Sequence, residues 1–246
     1  MKAPRKRIDV LLHERGLATS REKAKALLMA GAVVVNGQKI DKPGALVDEA
    51  AHIEVRESMP YVSRGGFKLA RALDYFGIDP AGRICADIGS STGGFTDCLL
   101  QRGALRVHAI DVGAGQLDWK LRQDTRVIVH ESLNARYLQL SDIGEPVSLA
   151  VCDVSFISVT LILPEIAGIL TQEGEMVILV KPQFEVGREQ VGKGGIIREP
   201  LLHLAACEKV AGAAQSLGFS TRLTESPILG AEGNREFLMH AVKGTV

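Results

Sequence analysis

The sequence is poor in aromatic residues, clustered cysteines and long apolar runs. Phe, Trp and Tyr make up 4% of the 246 residues, and the chain has a single Trp. Its four cysteines are widely separated and do not cluster with the six histidines, so the pattern argues against a disulfide framework and predicts no metal site. The longest apolar runs, such as MVILV, have the length of a strand and fall far short of a membrane span.

The opening stretch also lacks the pattern of a secretory signal. In MKAPRKRIDVLLHERGL, charges stand where a signal peptide needs an apolar core. The isolated cysteines are typical of small buried side chains in a reducing compartment. We therefore expect a cytoplasmic protein that does not insert into a membrane.

Charge is distributed unevenly along a chain whose formal net charge is zero. Residues 1–42 contain ten Lys or Arg and four Asp or Glu, a net charge of +6, so the remainder carries −6. A small basic head on an acidic body predicts a module that binds a polyanion, joined to a second domain. A solvated basic N-terminus without a binding role is the alternative from charge alone.

Residues 7–55 contain the signals of a small α+β unit. RIDVLLHERGL has nearly helical spacing of its apolar residues, and Thr19 or Ser20 is placed to cap a second helix. Asn36-Gly37 predicts a hairpin between two β-prone runs. This order resembles the RNA-binding domain of small-subunit ribosomal protein S4. The resemblance implies RNA contacts through Arg7, Arg21, Lys23, Lys25, Asn36 and Lys39.

Strand-like and helix-like segments alternate through the rest of the chain. The alternation, with nearly continuous apolar strands, predicts a doubly wound α/β sheet of the Rossmann-like class. We expect the small domain at 1–58, a linker at 59–66 and the α/β domain at 67–246, its final strand pairing antiparallel with the one before. The predicted strands are 83–88, 107–112, 126–130, 148–153, 175–181, 219–225 and 236–242. The predicted helices are 66–77, 93–102, 115–122, 158–170 and 199–217.

The stretch DIGSSTGGF, residues 87–95, predicts a turn where a ligand approaches the backbone closely. It has no Lys in the position that a P-loop requires, and its glycine spacing does not match the dinucleotide fingerprint. An acid and a glycine-rich turn after the first strand, with a second acid ending the next, are typical of methyltransferases that bind S-adenosylmethionine. A tight turn with Asp87 as a helix cap is the alternative. The candidate cofactor residues are Asp87, Gly89, Ser91, Thr92, Gly93, Gly94, Asp111 and Asn134.

The acceptor of the methyl group is indicated by the residues at the other strand ends. VCDVSF lacks both the Pro-Pro pair typical of base amino-group methyltransferases and the Pro-Cys pair of cytosine carbon-five enzymes. The set Lys68, Asp153, Lys181 and Glu236 instead resembles the catalytic tetrad of FtsJ-like ribose 2′-O-methyltransferases. Singly, each residue could equally be a surface charge or a cap.

The tetrad suggests how a poorly nucleophilic ribose hydroxyl is activated. Its proton must leave as the oxygen attacks the methyl group, and a lysine with an ordinary pKa of about 10.4 is charged at neutral pH. We expect a nearby Lys68 to weaken the charged form of Lys181, which then acts as base or orients the hydroxyl. Asp153 and Glu236 would hold the two amines.

Three motifs, YVSRGGFKLARAL, DIGSSTGGFTD and KPQFE, occur together with the S4-like head. This combination resembles the TlyA family of ribosomal RNA 2′-O-methyltransferases, some members of which are labelled haemolysins. The resemblance implies S-adenosylmethionine as cofactor, ribosomal RNA or ribosomal subunits as partner, and a cytidine as acceptor. The alternative is an RNA-binding or membrane-active protein that keeps a methyltransferase-like shell. The basic, glycine-rich loop after Lys181 could be a flap over the acceptor or an ordinary surface loop.

Overall fold

The basic head folds around two short helices and two small antiparallel sheets in the computed structural model, which describes residues 4–29, 31–55, 59–230 and 232–244. Ser20 caps the second helix, since its Oγ accepts a hydrogen bond from Lys23 N at 3.1 Å. Asn36 and Gly37, with φ of 49° and 81°, form the predicted hairpin turn. The elements are β1 Arg5–Arg7, α1 Ile8–Glu14, α2 Arg21–Met29, β2 Val33–Val35, β3 Gln38–Ile40, β4 Leu46–Asp48 and β5 Ile53–Val55.

The chain divides into two compact units between Pro60 and Tyr61. Residues 61–66, part of the predicted linker, are therefore grouped with the second unit. The Tyr61 ring meets that of Phe67 edge-on at 5.6 Å between centroids, and Val62 N donates a hydrogen bond to Asp97 at 2.9 Å. The first unit has its own core, in which Ile8, Leu12 and Leu28 are fully buried.

The second unit contains one seven-stranded sheet with the order β11-β12-β10-β9-β6-β7-β8. The strands β10, β9, β6, β7 and β8 are parallel, whereas β12 is antiparallel to both of its neighbours. The predicted antiparallel pairing of the last strand is confirmed. The strands are β6 Ile84–Ile88, β7 Arg106–Ile110, β8 Val127–His130, β9 Val147–Cys152, β10 Leu170–Val180, β11 Phe219–Glu225 and β12 Phe237–Lys243.

Helices cover both faces of this sheet. One apolar cluster includes Ile88, Ile110 and residues of α7 and α9, and the other includes Val107, Val151 and residues of α3 and α4. The central strands are buried on both faces, which explains their nearly continuous apolar sequences. The fold is the predicted α/β class. The helices are α3 Gly65–Phe76, α4 Gly94–Gln101, α5 Trp119–Arg122, α6 Leu140–Ile143, α7 Leu163–Ile169, α8 Pro182–Glu185 and α9 Pro200–Ser216.

Candidate active site

The carboxyl ends of the parallel strands β6, β7, β9 and β10 meet at one edge of the sheet. Ligands of open α/β sheets bind at this edge. Because β12 is antiparallel to β10, its first residue lies there too, and the pairing of Val180 with Phe237 sets Glu236 beside Lys181. The residues that follow the four parallel strands are Gly89, Asp111, Asp153 and Lys181.

The glycine-rich turn after β6 passes very close to the end of β9. Gly89 has a φ of 81°, and a Cβ built on it would stand 2.4 Å from the carbonyl oxygen of Asp153. Only glycine fits there without displacing the backbone. Ser91 follows with a φ of 47°, a left-handed conformation that other residues rarely adopt. The glycine spacing predicted that a ligand approaches the backbone closely. At Gly89, the group that approaches is the backbone at the end of β9.

Asp111 fastens this turn and keeps capacity to bind a ligand. Its Oδ2 accepts a hydrogen bond from Ser91 N and its Oδ1 one from Gly113 N, both at 2.7 Å. A carboxylate offers about four acceptor sites, so each oxygen can accept another donor. The arrangement fits hydroxyl groups such as those of a ribose.

A cavity of about 360 Å³ lies beside Asp111, between the ends of β7 and β9. Four of the predicted cofactor residues are on its wall: Gly89, Ser91, Asp111 and Asn134. Asp153 lines it as well, and much of the remaining wall is apolar, as in sites that hold a planar organic group. The sequence did not indicate the wall residues that belong to no charged or glycine-rich motif, among them Val112, Leu133, Val154, Phe156 and Ile157.

The two glycines at the start of α4 make room for protein atoms. A Cβ on Gly93 would stand 2.2 Å from the side chain of Leu121, and one on Gly94 would stand 2.2 Å from Ser63 Oγ. Both glycines therefore permit close packing of α4 against its neighbours. The predicted cofactor residues that are not on the wall of the described cavity are Asp87, Thr92, Gly93 and Gly94.

Asp87 is fully buried in β6 and anchors α4. Its Oδ2 accepts hydrogen bonds from Thr96 N at 2.9 Å and from Thr96 Oγ1 at 2.6 Å. Burial raises the pKa of this carboxyl to about 7, against the opposing effect of the Thr96 bonds. Its Oδ1 has no hydrogen-bond partner among the described residues. The bonds to Thr96 give Asp87 the helix-cap role that was the alternative to cofactor binding. Oδ1 takes no part in them.

The four residues of the predicted tetrad form two ion pairs. Lys68 Nζ lies 2.6 Å from Glu236 Oε2, and both side chains are almost completely buried. Lys181 Nζ lies 2.6 Å from Asp153 Oδ1. It also donates a hydrogen bond to Ser155 Oγ at 2.7 Å. Each lysine is thus held by a carboxylate, which is the arrangement expected for Asp153 and Glu236.

In the first unit, Arg7 and Arg21 converge on a buried carboxylate. Arg7 donates to both oxygens of Asp9 at 3.0 Å, and Arg21 Nη2 donates to its Oδ2 at 3.2 Å. The bonds from Arg7, followed by those from Arg21, lower the pKa of Asp9 to about 2. The two arginine side chains remain 50% and 48% exposed, so each can still contact an outside phosphate.

The other predicted RNA contacts differ in how they are held. Lys23 and Lys25 are exposed on α2, and neither is in an ion pair with any of the described residues. Asn36 works within the fold, because its Oδ1 accepts a hydrogen bond from His52 N at 2.9 Å. Lys39 is exposed on β3. The lysines are thus the freest cations of the predicted set.

Comparison with known families identifies the class of protein. The sequence profile of FtsJ-like methyltransferases matches residues 61–243, and that of the S4 domain matches residues 6–53. The chain belongs to the FtsJ-like methyltransferase family. The chain is therefore an S-adenosylmethionine-dependent methyltransferase, and the predicted cofactor is confirmed.

Relatives of nearly full length confirm the resemblance to the TlyA family. The 16S/23S rRNA (cytidine-2′-O)-methyltransferase TlyA of Mycobacterium tuberculosis is 46% identical over 96% of this chain and 90% of its own. Hemolysin A of Brachyspira hyodysenteriae is 44% identical over 96% of this chain and 99% of its own. A solved structure of a candidate hemolysin from Streptococcus thermophilus matches with a TM-score of 0.75 and 50% identity, covering 98% of this chain and 89% of that one.

The described residues of this FtsJ-like chain contain neither a membrane-spanning helix nor a metal-binding cluster. None of the helices found there is long and apolar enough to span a bilayer. No group of three or more His, Cys, Asp or Glu in the same ranges is arranged to hold a metal ion.

Proposed function

We propose that the protein transfers the methyl group of S-adenosylmethionine to a ribose 2′-hydroxyl of ribosomal RNA, with a cytidine as acceptor. The observation that carries the proposal is the pair Lys181–Asp153 at the strand edge, beside the cavity that Asp111 lines. The S4 domain and the TlyA relative, named as an rRNA (cytidine-2′-O)-methyltransferase, support the choice of substrate. Such a protein works in the cytoplasm, where ribosomal subunits are.

The residues around the cavity fit the cofactor. Asp111 would accept the ribose hydroxyls, the backbone at Gly89 and Ser91 would border the methionine part, and apolar wall residues such as Val112 and Ile157 would cover the adenine. Asn134 contributes the remaining predicted contact. Bound S-adenosylmethionine supplies an electrophilic methyl group. The unpartnered Oδ1 of Asp87 is a further acceptor at the end of the same strand.

The catalytic roles follow from the two ion pairs. Lys181 Nζ orients the attacking hydroxyl and receives its proton, for which the amine must be neutral at that moment. Asp153 and Ser155 hold Nζ in place through contacts at 2.6 and 2.7 Å. Lys68 and Glu236 form the second, buried pair, and Glu236 precedes β12 at the same strand edge. Most of the remaining rate gain comes from in-line positioning of the two substrates.

RNA recognition is divided between the two units. We place the RNA-binding domain at 1–58, the linker at 59–66 and the methyltransferase domain at 67–246. In the first, Arg7, Arg21, Lys23, Lys25 and Lys39 contact phosphates, and the turn at Asn36 follows the backbone. In the second, the exposed ring of Phe156 beside Phe184 offers a surface on which an unstacked base can lie.

Replacing Lys181 tests the proposal. Lys181→Ala should lower the turnover number at least ~100-fold, the usual scale of a lost general base, while the affinity for S-adenosylmethionine stays near that of the wild type. Lys181→Arg should not restore turnover, because an arginine does not release its proton. Lys243→Ala, which removes an exposed lysine far from the strand edge, is the matched control.

The measurement is a map of 2′-O-methyl marks on ribosomal subunits that lack them, after incubation with S-adenosylmethionine and each variant. A mark on one cytidine with wild type and none with Lys181→Ala is the expected result. Marks on a base instead of a ribose, or full turnover by Lys181→Ala, would refute the proposal. A protein that only binds RNA or acts on membranes would leave no mark at all.

A further inference from the structure

Glu185, the last residue of α8, is a buried carboxylate that the proposed chemistry does not use. Its side chain is 2% exposed. Ser158 Oγ donates to its Oε2 at 2.5 Å, and Val159 N donates to its Oε1 at 2.7 Å. Burying a carboxylate is costly unless donors of this kind compensate for the lost water. A buried carboxylate with several hydrogen-bond donors suggests a specific structural role.

Ser158 ends the segment that carries half of the catalytic pair, and Val159 follows it directly. Residues 153–158 have no helix or strand, and they connect β9 to a 3-10 turn at Val159–Leu161. The segment contains Asp153 and Ser155, the two partners of Lys181 Nζ. A segment without a backbone ladder of its own depends on side chains to fix its position.

Two bridges thus join the same two stretches of chain. At one end, Lys181 Nζ reaches Asp153 and Ser155. At the other end, four residues further along the chain, Glu185 reaches Ser158 and Val159. Without the second bridge, Asp153 would keep its backbone hydrogen bond from N to Ile88 O at 2.9 Å, but among the described residues its side chain would be held only by the lysine that it is meant to position.

Lys209 of α9 also contacts Glu185. Its Nζ lies 3.3 Å from Glu185 Oε2 and donates a hydrogen bond to the backbone oxygen of Glu185 at 2.7 Å. It therefore holds the side chain and the main chain of Glu185 together, and ties both to the long helix α9. Glu185 itself is not on the wall of the described cavity.

We propose that Glu185 is a positioning residue that fixes the 153–158 segment, and with it Asp153, relative to Lys181. The proposal rests on the proposed function, because it assumes that Lys181 handles the proton of the acceptor hydroxyl. A displacement of about 1 Å in a catalytic group can cost about 100-fold in rate, so a clamp on an irregular segment has a large effect on turnover.

Variants of Glu185 and Ser158 test the clamp. Glu185→Ala should lower the turnover number by ~10- to 100-fold. Glu185→Gln, which keeps an acceptor for Val159 N, should lie between it and the wild type. Ser158→Ala is the milder variant, with a loss of about three- to tenfold, and it should cause little further loss in the Glu185→Ala background because both act on one contact.

A matched control separates positioning from general destabilisation. Glu175 is also a largely buried carboxylate, paired with Arg83 and His240, but it lies five residues before Val180, at the other end of the ladder between β10 and β12. Glu175→Ala should lower Tm by an amount similar to Glu185→Ala. It should leave the turnover number per folded molecule within about twofold, because residues that share no partners affect each other's energetics little.

The readouts are turnover number, KM for ribosomal subunits, affinity for S-adenosylmethionine by calorimetry, and Tm. We expect the loss in Glu185 variants to fall on turnover, with KM within about threefold. Wild-type turnover in Glu185→Ala and Ser158→Ala, or an equal loss in Glu175→Ala, would overturn the clamp. Those results would leave the proposed function intact, whereas full turnover by Lys181→Ala would overturn the function itself.

Discussion

Phe156 holds a backbone conformation that a bulky side chain rarely adopts, with a φ of 66°. Strain of this kind costs on the order of 1–3 kcal/mol and persists where the surrounding structure fixes it. Burial does not offset it, because the side chain is 90% exposed. The ring lies 5.4 Å from that of Phe184, and the residue lines the cofactor cavity. An aromatic ring kept out of the core under strain is typical of a binding surface.

Phe156→Gly should therefore stabilise the protein while impairing its activity on RNA. Glycine adopts this φ freely, so relief of strain should outweigh its entropy cost and raise the free energy of unfolding by roughly 0–2 kcal/mol. Loss of the ring should lower kcat/KM for ribosomal subunits by about 5- to 100-fold, the scale of one base–aromatic stack. Thermal denaturation and methyl transfer at low substrate concentration measure the two effects.

The controls for Phe156 separate the ring from the backbone. Phe156→Tyr keeps both and should retain activity, whereas Phe156→Ala keeps the strained φ and should lose activity without gaining stability. Unchanged RNA methylation by the glycine variant would remove the ring from the acceptor site.

At the scale of elements, Asp87 connects β6 to α4 through both donors of Thr96. Its pKa in the folded protein, about 7, is above the value of 3.8 for a free carboxyl. Between these two values the folded state holds a proton that the unfolded state has released. The contribution of this group to stability therefore declines as pH rises from about 4 to 7 and stays at its low value above pH 7.

Asp87→Asn should remove this dependence on pH. The variant should gain stability relative to wild type, by roughly 1–3 kcal/mol and increasingly from pH 5 to pH 8, because the wild type must take up a proton on folding below pH 7 or bury a charge above it. Urea unfolding of the full chain at four pH values is the measurement, and parallel pH profiles for the two proteins would contradict it. Calorimetry of the same variant measures its affinity for S-adenosylmethionine. A lower affinity than that of the wild type would mean that Oδ1 of Asp87 also binds the cofactor.

The strand-end residues could be predicted because parallel strands bring their carboxyl ends together. Asp111 was identified from its place at the end of a predicted strand. Asp153 and Lys181 were identified from strand-end positions together with the resemblance to the FtsJ-like tetrad, and the structure brings all three to one edge. Element lengths were less accurate. The helix predicted at 115–122 is reduced to Trp119–Arg122, and the one predicted at 158–170 to Leu163–Ile169 after a 3-10 turn. Short helices of four residues, α6 and α8, were not predicted, since one turn leaves no periodic signal.

The pairing of the four charged residues could not be deduced from the sequence. Which carboxylate meets Lys68 depends on the antiparallel insertion of β12 next to β10, a long-range pairing without a local signature. The apolar cavity wall and the clamp at Glu185 were missed for the same reason. Hydrophobic residues after a strand are read as core, and only their three-dimensional neighbours show that they border a cavity.

At the scale of the whole molecule, the charge of the basic head should govern affinity for ribosomal subunits. Arg21 is held by Asp9, whereas Lys23 and Lys25 have no ion-pair partner among the described residues. Neutralising all three should flatten the plot of log affinity against log salt by about two units, with most of the change from the lysines. Binding to subunits across a salt series is the measurement.

Two further proteins complete that salt experiment. A chain beginning at Tyr61, which contains the whole second unit with its own core, should still bind S-adenosylmethionine but methylate ribosomal subunits poorly. A triple neutralisation of Arg71, Lys120 and Lys243, exposed residues of the second unit, should leave the salt slope nearly unchanged. Equal slopes for all variants would mean that the head is only a solvated surface.

The position of β12 affects how the chain folds while it is synthesised on a ribosome, the particle that it is proposed to modify. This strand comes last in the chain but lies inside the sheet, between β10 and β11. A growing chain thus exposes an open edge of β10, and Lys68 lacks Glu236, until residues 237–243 have been synthesised. The core of the head lies within residues 8–53, so the head can fold and bind RNA before β12 has been synthesised. A nascent chain is therefore able to hold a ribosome before it is able to methylate one.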